Sequence, residues 1–284
     1  MADSRSLFRD RRMLIVTKHS KEQVLGPLFQ EGLGVIPIPS EGFDTDLFGT
    51  FTGEVKRQGD PFSTLRKKCL IGMEQFGFDL GLASEGSFGP HPSIGFIPAD
   101  HELVVLIDKK YNLEISAREL SMKTNFMAKQ IDSIDDLRTF AIKAKFPSHA
   151  LIISMDNHMR ENIQKGINDW LALESAFISL SKRTGKIWVE TDMRAMHNPT
   201  RMGVIKKVGQ KLLDRVNSLC PSCAMPGFGI VEARFGLPCG ACGAATESVL
   251  SHVYKCTSCS QSEEYLFPNK RSVEDPMYCN FCNP

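Results

Sequence analysis

The sequence predicts an α/β fold, a mainly parallel sheet flanked by helices, followed by a small C-terminal zinc-binding module. Three observations predict it. Short apolar runs of strand length alternate with stretches of helical periodicity, the pattern of βαβ units. Those runs are rich in Val, Ile and Leu and apolar on both faces, as strands buried between helix layers are. Eight of the nine cysteines form four CxxC pairs, all between Cys220 and Pro284. A length of 284 residues suits two domains, and the predicted boundary gives an α/β domain over 1–216 and the cysteine module over 217–284.

The predicted strands are Met13–Thr17, Gly34–Pro37, Leu80–Ser84, Leu103–Ile107, Ala150–Ser154 and Ile187–Thr191. Asp60-Pro61 reads as an N-cap followed by proline at the first helical position, with Leu65, Cys69, Met73 and Phe76 on one face behind it. Ser133 and Asp136 predict a capping box ahead of Leu137, Phe140, Ala141 and Ala144. Ile163, Ile167, Trp170, Leu171 and Phe177 predict one long amphipathic helix ending near Gly185. Asn198-Pro199 opens a last helix, with Ile205, Val208, Leu212 and Val216 inward, which runs directly into the first CxxC.

In the CxxC pairs, two thiolates three positions apart grip one metal ion from a tight turn, and two such knuckles complete a tetrahedral Cys₄ site. The predicted ligands of two structural Zn²⁺ ions are Cys220, Cys223, Cys239, Cys242, Cys256, Cys259, Cys279 and Cys282. The competing disulfide framework needs an oxidising compartment. The N-terminus MADSRSLFRDRR lacks an apolar signal core, so a cytoplasmic location is expected. Four knuckles can pair sequentially, nested or alternately. The inner segment CGACGAATESVLSHVYKCTSC resembles a zinc ribbon and favours nesting, with the inner two pairs on one ion and the outer two on the other. Cys69 reads as a core residue.

No apolar run is long enough to cross a membrane. The formal net charge is +1, and the cysteine module carries more acidic than basic residues. Nucleic acid is therefore an unfavoured partner, since such binding rests on phosphate neutralisation. A protein contact through the zinc module is the alternative.

Ligands of doubly wound folds bind beyond the carboxyl ends of the strands. Each predicted strand end is followed by ionisable groups: Lys18, His19 and Lys21; Glu85 and His91; Asp108; Asp156 and His158; and Asp192, Arg194, His197 and Arg201. Lys18, Lys21, Arg194, His197 and Arg201 are the predicted phosphate contacts, the last three around a helix N-terminus. Glu85 and Asp108 are the predicted catalytic carboxylates. Asp44, Asp46, Thr50, Thr52 and Glu54 lie in a glycine-containing stretch suited to Mg²⁺, to a substrate hydroxyl or to an ordinary surface loop. His91, before a proline, reads as a loop-packing residue, and Asp192 as a partner for Arg194 or a metal ligand.

The order TKHSKEQVLGPLF, GTFTGEV, a helix and LGLASEGSFGPHP resembles the inosine triphosphate pyrophosphatase-like superfamily over about the first 110 residues. That resemblance implies a phosphate-contacting role for Lys21 and a metal-holding role for Glu85. His19 stands where the superfamily has Asn, and the spacing is one residue short. The whole-chain pattern, with ASEGSFGPHP, TDMRAMHNPTRM and the four knuckles, resembles an uncharacterised bacterial family, which implies no established activity. Two functions are compatible with these readings. One is a Mg²⁺-dependent phosphohydrolase acting on a nucleotide or other phosphorylated metabolite. The other is a non-catalytic module that senses such a ligand or binds a protein. Either predicts that Glu85, Lys21 and Arg194 converge in one cleft.

Overall fold

A computed structural model of the chain describes residues 4–43, 60–155, 163–183 and 187–284. The stretch with Asp44, Asp46, Thr50, Thr52 and Glu54 lies outside the described residues, as do Asp156 and His158. The chain forms, in order, α1 (Arg5–Phe8), β1 (Arg12–Val16), α2 (Glu22–Leu33), β2 (Ile36–Pro39), α3 (Pro61–Phe76), β3 (Leu80–Pro90), β4 (Pro98–Asp108) and β5 (Leu113–Ser121). There follow β6 (Ala128–Ile131), α4 (Ile134–Lys143), β7 (Leu151–Ser154), β8 (Gln164–Ile167), α5 (Trp170–Ser181), β9 (Ile187–Thr191) and α6 (Pro199–Asn217). The cysteine module contributes β10 (Gly229–Phe235), β11 (Val249–Lys255) and β12 (Ser262–Leu266).

Three sheets result. The first has the order β2-β1-β3-β4-β5. Alternate residues of its strands point to opposite faces. Met13, Ile15, Leu82, Val104 and Leu106 pack against α2 and α6, while Leu14, Val16, Ala83, Val105 and Ile107 pack against α3. Only β1–β2 and β1–β3 pair in parallel; β3–β4 and β4–β5 are antiparallel. The second sheet, β6-β9-β7-β8, and the third, β10-β11-β12, are antiparallel throughout. The expectation of a mainly parallel sheet is thus corrected to a mixed α/β fold with mostly antiparallel sheets. Burial on both faces follows from having helices on both sides and does not fix strand direction. Direction is set by the connections, and β3, β4 and β5 are joined by short loops that can only reverse the chain.

The three N-caps form where expected, although at Ser133 only the serine's half of the capping box is made. Asp60 accepts from the backbone N–H groups of Phe62 and Ser63, Ser133 Oγ accepts from Asp136 N, and Asn198 Oδ1 accepts from Arg201 N. The long helix over Ile163–Gly185 is not formed. Gln164–Ile167 is strand β8, Gly166 sits at φ +74°, and the helix starts only where Asp169 accepts from Ala172 N. A left-handed residue stops helical propagation, and the Asp cap restarts it. Cys69 is fully buried, and burial pushes its thiol up to about 12. Among the described residues, no helix is long and apolar enough to cross a membrane.

Candidate functional site

The cysteines form two four-sulfur groups. Cys220, Cys223, Cys256 and Cys259 make one, and Cys239, Cys242, Cys279 and Cys282 the other, with the sulfurs of each within 4.8 Å of one another. Sulfurs on different knuckles lie 3.6 Å (Cys220–Cys259), 3.7 Å (Cys223–Cys256), 3.8 Å (Cys239–Cys282) and 3.7 Å (Cys242–Cys279) apart. Zn–S bonds of about 2.3 Å give a tetrahedron with edges of about 3.8 Å, so the donor sets fit zinc. Disulfide bonds, at about 2.05 Å, are far shorter than these separations.

Knuckles one and three share a site, as do two and four. The nested pairing is therefore corrected to an alternating one. The reason is the antiparallel sheet. Gly229 at the start of β10 pairs with Lys255 at the end of β11, which brings the first knuckle beside the third. The second knuckle lies at the opposite end of that hairpin, where β12 also ends, since Leu266 pairs with Ser251. Strands of seven residues keep the two ends roughly 20 Å apart.

The knuckles share a local design. The residue after the second cysteine donates its N–H to the carbonyl of the first, at 2.9 Å for Ala224 and Gly243 and 2.8 Å for Asn283. Ala224, Gly243 and Ser260 all have positive φ. Backbone N–H groups of Cys242 and Ala241 hold the Cys239 thiol down to about 7. At Cys256 burial acts upward, but the N–H groups of Cys259 and Ser258 outweigh it and the thiol again falls to about 7. Such donors stabilise thiolate, the form that binds metal.

The second cluster lies at the carboxyl end of β1. The chain leaves β1 through α2 to β2 on one side and returns through α3 to β3 on the other, with α2 and α3 on opposite faces. The β1/β3 gap is thus a topological switch point. Pairing between the two stops at Val16 and Ala83, so the carbonyl of Ser84 projects beyond the end of β1. Two buried ammonium groups converge on it: Lys21 Nζ at 3.3 Å and Lys68 Nζ at 3.1 Å. Lys68 also pairs with Glu85 at 3.2 Å.

Beside Lys21, on the α2/α6 face, lie three more charged side chains. Glu102 is fully buried; its Oε1 accepts from Arg201 Nε at 2.6 Å and its Oε2 is 4.0 Å from Lys21 Nζ. Arg201 is also buried and donates from Nη1 to the Met193 carbonyl at 2.5 Å, with its guanidinium 5.1 Å from the centre of the Phe88 ring. Asp100 is 1% exposed, and neither of its oxygens, nor Glu102 Oε2, nor Ser84 Oγ, has a hydrogen-bond partner among the described residues. Burial, then the neighbouring Glu102, push the Asp100 carboxyl up to about 8. Burial pulls Lys21 down to about 7, against the opposing pull of Glu102.

Of the residues expected to form a site, Lys21 and Glu85 both sit at this gap, and Arg201 joins through Glu102. Arg201 is buried against Glu102 and the Met193 carbonyl. Lys18 lines a neighbouring cleft of about 420 Å³ with Thr17, Ser20, Ser40 and Phe43. Arg194 is not part of the Lys21 group; it grips Asp192 through two nitrogens, Nε–Oδ1 at 3.0 Å and Nη2–Oδ2 at 2.6 Å. Asp192 also accepts from Gly166 N at 3.0 Å, and burial lowers the pKa of nearby His197 against the pull of Asp192. Asp108 stands at the opposite end of the sheet. It pairs across from Leu80 and is held by Arg11 at 2.6 Å, five residues or about 17 Å along β4 from the partner of Glu85. The expectation that Asp108 acts with Glu85 is therefore not met. His91 accepts from Ser93 and Ile94 N–H groups and packs its loop.

The model of a family described as a domain of unknown function, DUF6671, matches residues 68–284. The chain belongs to the DUF6671 family. No curated protein matches it. In this DUF6671 protein the matched region begins at Lys68 and takes in Glu85, Asp100, Glu102, Arg201 and all eight knuckle cysteines, while Lys18 and Lys21 precede it. Sequence reasoning passed over Lys68, Asp100 and Glu102. A signal existed for two of them. Asp100 and Glu102 continue the period-two register of Val104 and Leu106, which places both on an inward face.

Proposed function

We propose that this DUF6671 protein binds a phosphorylated metabolite, of the nucleotide class, at the β1/β3 gap. The observation that carries the reading is the convergence of Lys21 and Lys68, from opposite faces of the sheet, on the Ser84 carbonyl. Lys68 is paired with Glu85, whereas Lys21 has its nearest carboxylate, Glu102, only at 4.0 Å, so an anion beyond the end of β1 would complete the site beside Lys21. The resemblance of the first 110 residues to the inosine triphosphate pyrophosphatase-like superfamily points to the same place, through Lys21 and Glu85. Binding of pyrophosphate and nucleoside triphosphates, followed by calorimetry, tests it. Lys21→Met and Lys68→Met should each weaken binding at least tenfold, and unchanged affinity in both would remove the site.

A hydrolytic activity is the second reading, favoured by Glu85 standing 3.2 Å from Lys68 at the same gap. Mg²⁺ does not find a ready ligand set there: among the described residues the only groups of three or more candidate ligands are the two cysteine sets, and Glu85 is engaged by Lys68. Release of phosphate or pyrophosphate from nucleoside triphosphates, with and without Mg²⁺, separates an enzyme from a sensor. In an enzyme Glu85→Gln should abolish turnover while leaving binding within a few-fold.

A further inference from the structure

We infer that anion binding at the lysine pair is coupled to the uptake of a proton by Lys21. The inference rests on the anion-binding reading above. It starts from the crowding of ionisable groups around Lys21. From β4 come Glu102, 4.0 Å from Nζ, and Asp100; from α6 comes Arg201; from α3 comes Lys68, with Glu85 of β3 behind it. Lys21, Lys68, Glu102, Asp100 and Arg201 are each at least 95% buried, so water screens them poorly.

The two oxygens of Asp100 have no donor among the described residues, and Glu102 Oε2 has none either. Glu102 has Arg201 on Oε1, whereas Asp100 has no cation of its own, so of these two neighbouring carboxyls Asp100 is the one that carries a proton. Lys21 has the opposite problem: burial disfavours its charge, and both Arg201 and Lys68 repel it. The group as a whole therefore changes its proton content near neutrality, with Lys21 near 7 and Asp100 near 8. An anion entering beside Lys21 and Lys68 favours ammonium over amine and leaves the carboxyl protonated. Above about pH 7 that state holds one more proton than the empty site, and the proton comes from solvent. Below pH 7 Lys21 is already charged, and the uptake disappears.

Sulfate is a suitable probe, because its own charge is constant over this range. Calorimetric titrations with sulfate in two buffers of different ionisation enthalpy should show uptake approaching one proton per site at pH 8 and little at pH 6. Sulfate affinity should fall as pH rises through 7. Lys21→Arg, which cannot lose its charge, should bind with no uptake at either pH. Binding of sulfate and pyrophosphate with heats independent of the buffer would overturn the coupling. Failure of both anions to bind would instead remove the site itself.

Discussion

The α/β body and the cysteine module achieve a fixed structure by different means. In the body, apolar clusters on both faces of the first sheet and beneath the second are built from fully buried Leu, Ile, Val, Phe and Met side chains. The module has almost no such core. Its buried cluster is Cys220, Phe228 and Cys256, with Tyr254 packed against it, and Val231, Phe235, Leu266, Met277 and Phe281 are all exposed. A chain with so little apolar burial cannot offset its conformational entropy, and metal ions at the two Cys₄ groups would take the place of a core. The same contrast holds for charge. Of the module's charged side chains Glu274 alone is buried, whereas the body buries two lysines, an arginine and two carboxylic acids beside the β1/β3 gap.

The largest expected effect comes from removing metal. Zinc contributes on the order of 10 kcal/mol or more to folding small modules of this kind. The protein should contain two zinc ions per chain by elemental analysis. A strong chelator at pH 7 should erase amide-exchange protection after Cys220 and leave the strands β1 to β5 protected. Simultaneous melting of both regions would mean that the body also depends on metal and that the contrast fails. Cys242→Ser sharpens the same point. With alternating pairing it frees Cys239, Cys279 and Cys282 for alkylation and lowers zinc to one per chain or less, with the module destabilised. Selective reactivity of Cys256 and Cys259 instead would show that the knuckles pair differently.

A smaller effect is expected inside the body. Glu102→Gln removes the partner of a fully buried arginine, and breaking a buried pair in this way costs about 3–5 kcal/mol. The urea midpoint should drop accordingly, with zinc content unchanged. Gly86→Ala tests how tightly the cluster is closed. A methyl group there would press on Glu102 Oε1 and Arg201 Nη2, and overpacking of this type costs about 1–3 kcal/mol. A neutral result would show that the cluster has room to shift. Smallest of all, Phe281→Ser lies on a knuckle tip that is 79% exposed and should change stability by less than about 0.5 kcal/mol. A large loss would reveal a packing role for the aromatic tips of the module.

What the sequence by itself determined were the features encoded in neighbouring residues. CxxC spacing identified all eight cysteines of the two four-sulfur groups, because a knuckle is a local turn. The caps at Asp60, Ser133 and Asn198 set three helix starts, because an N-cap bond spans two or three residues. Period-two alternation placed Leu14 and Ile15 on opposite faces of β1. Lys21 stood out because it follows β1, and Glu85 because the sequence ended its strand at Ser84, whereas β3 runs on to Pro90 and carries Glu85 within it. Only the tertiary structure decided the rest. Strand direction depended on which loops were short enough to reverse the chain, and apolar composition is blind to that. The pairing of knuckles followed from the antiparallel register of β10, β11 and β12, which relates residues up to 43 positions apart. Arg194 and Arg201 look equivalent in the run TDMRAMHNPTR, yet one closes on Asp192 beside it and the other reaches Glu102, 99 residues away. A local carboxylate and a distant buried one compete for each guanidinium, and only the packed fold fixes which is within reach.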